Sequence, residues 1–194
     1  MNLTKKMSTQ QMVLAAVLTA IVFVLQLVAV MVGHVGIFSL TLCLVPIVIG
    51  AATCGIGVGA WLGFVFGVAV LMSGDAAAFL AVNPIGTVIT VLLKGTLCGL
   101  SAAAVYKLLA DKNMYVAVIA AAIICPIVNT GVFLLGCLAF FMETIRGWAA
   151  AGGFGENVGS YMILGLVGVN FLLEMAVNVV LSPIIVRLLK IRKA

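Results

Sequence analysis

Several polar side chains stand inside long apolar stretches, at spacings that place them on common helix faces. Thr87, Thr90 and Lys94 follow one another at intervals of three and four residues, and Asn170 and Glu174 are four residues apart. Residues at these intervals share one face of an α-helix. Because polar groups are costly in hydrocarbon, they usually face a protein interior or a cavity and are candidates for function. We therefore predict a polar cavity that binds a small solute.

Four more positions complete the set of candidate substrate-binding residues. Asn129 lies in another apolar segment, Asn83 stands just before the two threonines, and a Gly-rich polar stretch holds Arg146 and Trp148. Amide groups can hydrogen-bond a solute, an indole ring can stack on it, and a cationic side chain can hold a carboxylate or phosphate. The predicted substrate-binding residues are Asn83, Thr87, Thr90, Lys94, Asn129, Arg146, Trp148, Asn170 and Glu174.

Some of these residues also have a purely structural explanation. Lys94 and Glu174 both fall near the middle of a span, so they either form an ion pair that fixes helix register or contact the substrate. The aromatic rings of stretch 143–157 belong either to an interfacial belt or to a lid that its glycines let move. His34, which stands between two glycines, is expected to be a solvated loop residue.

The amino-acid composition indicates that these polar groups lie in a membrane protein. Of the 194 residues, 65% are apolar and 8% are charged, and the mean hydropathy is +1.40. Soluble domains average about 45–50% apolar and about 25% charged residues, so a soluble enzyme, a disordered chain and a nucleic-acid-binding module are excluded. The five cysteines and single histidine have no metal-ligand spacing, so neither a metal nor a cofactor is predicted. No P-loop sequence is present, so ATP hydrolysis by that route is not expected.

Six apolar segments predict the fold class. We expect an all-α, polytopic integral membrane protein, with six transmembrane helices in one bundle and a single transmembrane domain over residues 1–194. Of the ten Lys and Arg residues, the predicted outer loops hold only Arg146, so the positive-inside rule places both termini in the cytoplasm. The stretch 73–84 is expected to be a loop with at most a helical turn. The segments cover about residues 9–32, 38–53, 58–72, 85–109, 114–142 and 158–189.

Small residues recur at four-residue intervals on three of the segments. Gly59, Gly63 and Gly67 form a stripe on the third, and Gly95 and Gly99 continue the pattern on the fourth. Such stripes let helix backbones approach closely, and we expect packing within the chain, with a homodimer interface as the alternative. Ala16 and Ala20 form an AxxxA motif on the first segment, where the same spacing favours either internal packing or contact with another membrane protein.

The stretch LVPIVIGAATCGIGVGAWLGFVFG over residues 44–67 resembles the S component of energy-coupling-factor (ECF) transporters. The AxxxA motif, the chain length and the six segments agree with this resemblance. S components are small six-helix membrane proteins of bacteria and archaea that capture vitamins or similar micronutrients. They work with a transmembrane coupling protein and two ATPase subunits, which supply the ATP hydrolysis that this chain lacks.

The resemblance implies roles for several parts of the chain. Ala16 and Ala20 would dock on the coupling protein in the cell membrane of a bacterium or archaeon. The substrate would bind near the outer side, between the last three segments and the outer loops, with the first and last outer loops as candidate lids. No signature for riboflavin, thiamine, folate or biotin is present.

Two other classes of protein compete with an S component. A self-sufficient small secondary transporter or channel is the main alternative, but such carriers commonly contain an internal repeat, and none is found. A membrane-embedded enzyme or assembly factor is the other, and an enzyme would need a nucleophile, an acid–base pair or a metal cluster. We therefore predict a non-enzymatic substrate-binding subunit of an importer.

Overall fold

The computed structural model describes residues 7–32 and 42–193, and every regular element within them is helical. A π-helical segment, Tyr161–Val167, stands between the last two α-helices. The α-helices are α1 (Thr9–Val32), α2 (Leu44–Cys54), α3 (Ile56–Ser73), α4 (Ala77–Val82), α5 (Pro84–Leu109), α6 (Met114–Phe140), α7 (Met142–Ala151), α8 (Val158–Ser160) and α9 (Gly168–Lys193).

Five of the described helices, α1, α3, α5, α6 and α9, are long and apolar enough to cross a membrane. Helix α2 has 11 residues, which at about 1.5 Å per residue is roughly half of a bilayer core. It packs against α1, α3, α5, α6 and α9 at the centre of the bundle. The fold class is therefore the expected all-helical membrane bundle, and the cytoplasmic location of the termini stays a prediction.

A seam of glycines joins α3 to α5. A Cβ atom at Gly63 would overlap the carbonyl of Gly95, and one at Gly59 would lie 2.6 Å from the carbonyl oxygen of Gly99. The two backbones approach so closely because neither helix carries a side chain at these points. The expectation that the glycine stripes pack within the chain is confirmed.

Local signals determine where several helices begin. Asn83 adopts an extended backbone and its side chain accepts a hydrogen bond of 3.0 Å from the Gly86 N–H, while Pro84 takes the first helical position of α5. Asn113 caps α6 in the same way. Gly55, with φ of 92°, makes a tight turn between α2 and α3.

The prediction of a loop over residues 143–157 is wrong for most of that stretch, because α7 occupies residues 142–151. Ile145 and Ala149, four residues apart, bury one face of α7, and Glu143 complements the positive end of its dipole. Gly147 suggested a loop, but tertiary packing and the following alanines outweigh its low helix propensity. Only the turn 152–157 remains non-helical, with positive φ at Gly153 and Gly155.

The sequence predicted one continuous last segment, but the structure divides it. The π-helical segment leads into Gly168, whose φ of 37° and ψ of −134° lie outside the α-helical region. Only glycine adopts such a backbone readily, so the break is placed at this residue. Beyond it, α9 continues past Pro183 to Lys193.

The two ends of the bundle differ in charge. The Cys54 thiol contacts the Gln11 carbonyl at 3.8 Å, so α1 begins beside the end of α2. Lys107 lines a cavity with Gly55 at this end, and Lys190 donates a hydrogen bond of 3.0 Å to the Tyr115 hydroxyl where α9 ends beside α6. Lys107 and Lys190 thus lie at one end of the bundle, and the polar cavities described next lie toward the other.

Candidate substrate-binding site

Two adjoining cavities lie between α3, α4, α5, α6 and the last segment. The larger, of about 220 Å³, is lined by Thr87, Thr90, Lys94 and several aromatic and aliphatic side chains. The smaller, of about 130 Å³, is polar. Residues lining both are Asp75, Lys94, Phe133 and Leu166. The two cavities therefore adjoin each other, and Lys94 lies between them.

Two buried polar atoms at these cavities lack a partner. The Thr90 hydroxyl and the Asn129 carbonyl oxygen make no hydrogen bond with the described residues, although Thr90 is 4% and Asn129 6% exposed. Thr90 lines the larger cavity and Asn129 the smaller. A buried polar group without a partner costs about 1–3 kcal/mol, and a bound solute would remove that cost.

Aromatic rings surround the ammonium group of Lys94. Its Nζ lies 5.2 Å from the ring centre of Phe133 and 5.8 Å from that of Phe66. Within the described residues, no carboxylate lies at ion-pair distance from it. Ring faces attract a cation but accept no conventional hydrogen bond, so all three N–H donors can serve a solute.

The two candidates at the start of α5, Thr87 and the N-cap Asn83, have local hydrogen-bond partners. The Thr87 hydroxyl lines the larger cavity and donates a hydrogen bond of 2.8 Å to the Asn83 carbonyl. Asn83 is the N-cap of α5 and is absent from the lining of either cavity. The structure gives Asn83 a capping position rather than a place in the cavity wall.

On α9, the two polar residues predicted on one face both reach the cavities. Asn170 and Glu174 line the smaller cavity with Lys94 and Asn129. Asn178, one turn further on, is 1% exposed and donates a hydrogen bond of 2.8 Å to the Glu174 carbonyl. The structure thus brings together candidates from α5, α6 and α9, as the sequence predicted for these helices.

The two candidates on α7 stand apart from the cavity lining. The Trp148 ring packs edge-on against Phe79, with centres 5.3 Å apart, and Phe79 lines the larger cavity. Arg146 is exposed and lines neither cavity. Trp148 therefore supports the cavity wall from behind.

Asp75 and its partner Gln26 were not predicted as site residues. Asp75 lines both cavities, and Gln26, 1% exposed on α1, donates a hydrogen bond of 3.2 Å to its carboxylate. The Gln26 amide also lies 3.4 Å from the Ser73 hydroxyl. An amide inside an otherwise apolar helix was the available signal for Gln26, but only the fold shows that it faces Asp75.

An aromatic cluster around Phe79 forms the apolar wall of the larger cavity. Its ring meets those of Phe133, Phe141 and Trp148 edge-to-face, with centres 5.1 to 5.6 Å apart. Phe133 follows Asn129 by one helical turn, so helical spacing could have identified it. Phe79 and Phe141 come from separate elements, and no spacing in the sequence predicts their contact.

The arrangement is suited to binding rather than to covalent chemistry. An ammonium, two carboxylates, two amides and three hydroxyls line cavities that also have aromatic walls. Pockets with apolar walls and a few fixed polar groups bind small ring compounds. Among the described residues, no group of three or more His, Cys, Asp or Glu side chains could hold a metal ion.

The AxxxA motif lies on the exposed side of α1, away from the side that packs into the bundle. Leu18, Val22 and Gln26 are buried at intervals of four residues, while Ala16 and Ala20 are exposed. Small side chains on this face leave room for another helix. His34 and the first outer loop, a candidate lid, lie outside the described residues.

The helices define a multi-pass protein of the cell membrane, and a comparison with protein families gives its class. The family model for the ECF transporter, substrate-specific component, matches residues 10–186. The chain therefore belongs to the family of ECF transporter substrate-specific components, the S components that the sequence resembles. This family is a class of transporter component and not of enzymes. No curated protein and no solved structure matches the chain.

Proposed function

We propose that this S component captures a small micronutrient, such as a vitamin, in the two adjoining cavities. The observation that carries the proposal is the presence of unpartnered polar groups in the lining of these two adjoining cavities. Thr90 and Asn129 present buried atoms without hydrogen bonds, and Lys94 presents an ammonium held between rings. Groups left unsatisfied in the empty protein are what a polar solute would satisfy.

The side of the membrane follows from the predicted topology. The cavities lie toward the end of the bundle opposite the start of α1 and the basic residues Lys107 and Lys190. If basic residues mark the cytoplasmic side, the cavities open toward the outer side. A site in that half receives solute from outside the cell, as an importer requires.

Delivery into the cell requires energy from other proteins. The proposed partners are a transmembrane coupling protein and two ATPase subunits of an ECF module. The exposed Ala16 and Ala20 on α1 offer a docking face, because small residues let two membrane helices approach closely. Capture and docking would then use opposite sides of the same helix.

The test begins with the purified full chain in detergent. Mass spectrometry would identify the small molecule that co-purifies with it or is retained from a defined mixture of vitamins and related ring compounds. Asn129→Leu keeps the branched outline of the side chain but removes the amide, so retention should fall about fivefold, the effect of about 1 kcal/mol for one lost hydrogen bond. Leu135→Ala on the exposed side of α6 is the control and should retain wild-type binding.

Two outcomes of this experiment would contradict the proposal. Retention of the same molecule by wild type and Asn129→Leu with equal affinity would place the site outside these cavities. Retention of no small molecule at all would contradict substrate capture by the isolated chain.

A further inference from the structure

The charges that line the cavities are mixed in sign. Lys94 and Asp75 line both cavities, and Glu174 lines the smaller one. Their formal charges are one positive and two negative, so the site is not matched to a simple anion. A ligand with charges of both signs would complement both kinds of group.

Lys94 requires an oxygen ligand from the solute. Its Nζ lies over the rings of Phe66 and Phe133, and within the described residues no oxygen hydrogen-bonds to it. An ammonium has three donors and no acceptor, so the complementary group is an anionic oxygen. A carboxylate or a phosphate supplies such oxygens.

The surroundings of Lys94 favour a carboxylate over a phosphate. A phosphate monoester carries a charge of about −1.5 to −2 at neutral pH, and it is usually held by several cationic or backbone N–H donors. Here one lysine stands in a space that Asp75 and Glu174 also line, and the exposed Arg146 is not part of that lining. Repulsion from two carboxylates grows with the ligand's charge, so a singly charged group is preferred.

Every other polar side chain that lines the cavities can accept a hydrogen bond, although the threonine hydroxyls and the asparagine amides can also donate one. The Asn129 carbonyl oxygen is buried without a partner, and the carboxylates of Asp75 and Glu174 add anionic oxygens. Acceptors require N–H or O–H donors, and carboxylates favour a donor that carries positive charge. The complementary group is therefore a protonated or N–H-bearing nitrogen.

From this arrangement we propose that the substrate is a small zwitterionic ring compound. Its carboxylate binds Lys94, its nitrogen faces the acceptors of Asp75, Asn129 and Glu174, and its ring packs against Phe79 and Phe133. This inference rests on the proposed function, because it assigns a chemical class to the molecule that the two cavities capture.

Affinity selection with matched probes tests the chemical class. The full chain in detergent is incubated with an equimolar mixture in which two rings each appear in four forms. The indole set is tryptophan, indole-3-propionate, tryptamine and tryptophol phosphate. The phenyl set is phenylalanine, 3-phenylpropionate, phenethylamine and 2-phenylethyl phosphate. Retained compounds are quantified by mass spectrometry after gel filtration.

We expect the amino acid of at least one set to be retained about tenfold more than its acid, its amine and its phosphate ester. Lys94→Gln should remove most of this preference. Lys107→Gln is the matched control, because it removes a lysine from the same helix at the other end of the bundle and should keep the wild-type preference. Thermal unfolding of both variants would verify that they remain folded.

The outcomes separate this inference from the proposed function. Preferred retention of an acid, amine or phosphate ester would overturn the zwitterionic class while leaving substrate capture intact. Equal preference in the wild type and Lys94→Gln would likewise remove Lys94 from the carboxylate site. Retention of none of the eight probes would overturn the zwitterionic class, whereas substrate capture is decided separately by the co-purification experiment above.

Discussion

At the scale of single residues, the candidate site contains buried polar atoms that have no hydrogen-bond partner among the described residues. Thr90 shows this most simply, because its hydroxyl is buried and has no partner among the described residues. Most threonines in membrane helices bond the carbonyl of the preceding turn, as Thr96 does to Leu92 at 2.7 Å on the same helix. The contrast between these two threonines of α5 gives a direct test of function.

Replacing Thr90 with valine should weaken substrate binding without destabilising the empty protein. The change keeps the side-chain shape and removes an unsatisfied hydroxyl, so thermal stability should stay equal or rise. Binding should weaken by about 1 kcal/mol, or roughly fivefold, for one lost hydrogen bond. Thr96→Val, which changes a satisfied hydroxyl away from the cavities, should leave binding unchanged. A clear loss of stability in Thr90→Val alone would show that its hydroxyl is structural.

Lys94 and Glu174 allow the two explanations of their mid-span charges to be separated. The structure places Lys94 over aromatic rings, so we expect Lys94→Ala to weaken substrate binding at least tenfold. The double variant Lys94→Ala with Glu174→Ala should remain folded and equally defective. A structural ion pair would behave differently, because each single change would lower the melting temperature and the double change would restore much of it.

At the scale of elements, the glycine seam between α3 and α5 is the rigid part of the bundle. The strongest packing joins these two helices, and the seam sets how close Lys94 comes to the ring of Phe66 on α3. By contrast, α4 and the π-helical segment, which contribute Phe79 and Leu166 to the wall of the larger cavity, are short elements. A change in the seam should therefore act through the fold.

Gly63→Ala should destabilise the protein, whereas Gly131→Ala should stabilise it. A methyl group at Gly63 would overlap the backbone of Gly95, and overpacking of this kind typically costs about 1–3 kcal/mol. Gly131 lies inside α6 with open space around its Cβ position, so alanine should gain up to about 1 kcal/mol of helix propensity. Thermal unfolding in one detergent would measure both. Equal melting temperatures would contradict close packing at the seam.

The sequence predicted the long helices and the seam, because apolar length and four-residue glycine spacing are local patterns. It also predicted that the helices carrying Thr90, Lys94, Asn129 and Glu174 turn these polar side chains toward a common cavity region, which is where they lie. Their role in substrate binding stays a prediction. The prediction of a loop over residues 143–157 was wrong, because the glycines indicated a loop while the packing of Ile145 stabilises a helix.

The break at Gly168 and the contact of Gln26 with Asp75 also escaped prediction, for a different reason. Glycine allows a break without requiring one, and nothing local distinguishes Gly168 from the helical glycines. The Gln26 contact joins residues 49 positions apart, so only the packed bundle brings them together.

At the scale of the whole molecule, we propose different tasks for the two sides of α1. One side packs into the bundle through Leu18, Val22 and Gln26, and the other presents Ala16 and Ala20. In a working ECF transporter the S component must both hold its substrate and associate with its module. The helix separates these tasks, so variants of one side should leave the other intact.

Ala16→Trp and Ala20→Trp should abolish co-purification with the coupling protein and ATPases while leaving substrate binding unchanged. A bulky ring on this face blocks the close approach of another helix. Leu135→Trp, at an exposed position of α6, is the control for adding a large side chain in the membrane. Unchanged yield of the complex in both alanine variants would remove α1 from the interface.

The glycine seam also bears on how proteins of this architecture could diversify. Helix α5 carries the frame and the binding groups on separate sides, with Gly95 and Gly99 against α3 and Thr90 and Lys94 at the cavity. Exchanging a binding residue leaves the backbone contact untouched, whereas exchanging a seam glycine disturbs the whole bundle. New substrate specificities should therefore be reachable by a few point substitutions on one side of α5, with no intermediate that has to rebuild the scaffold.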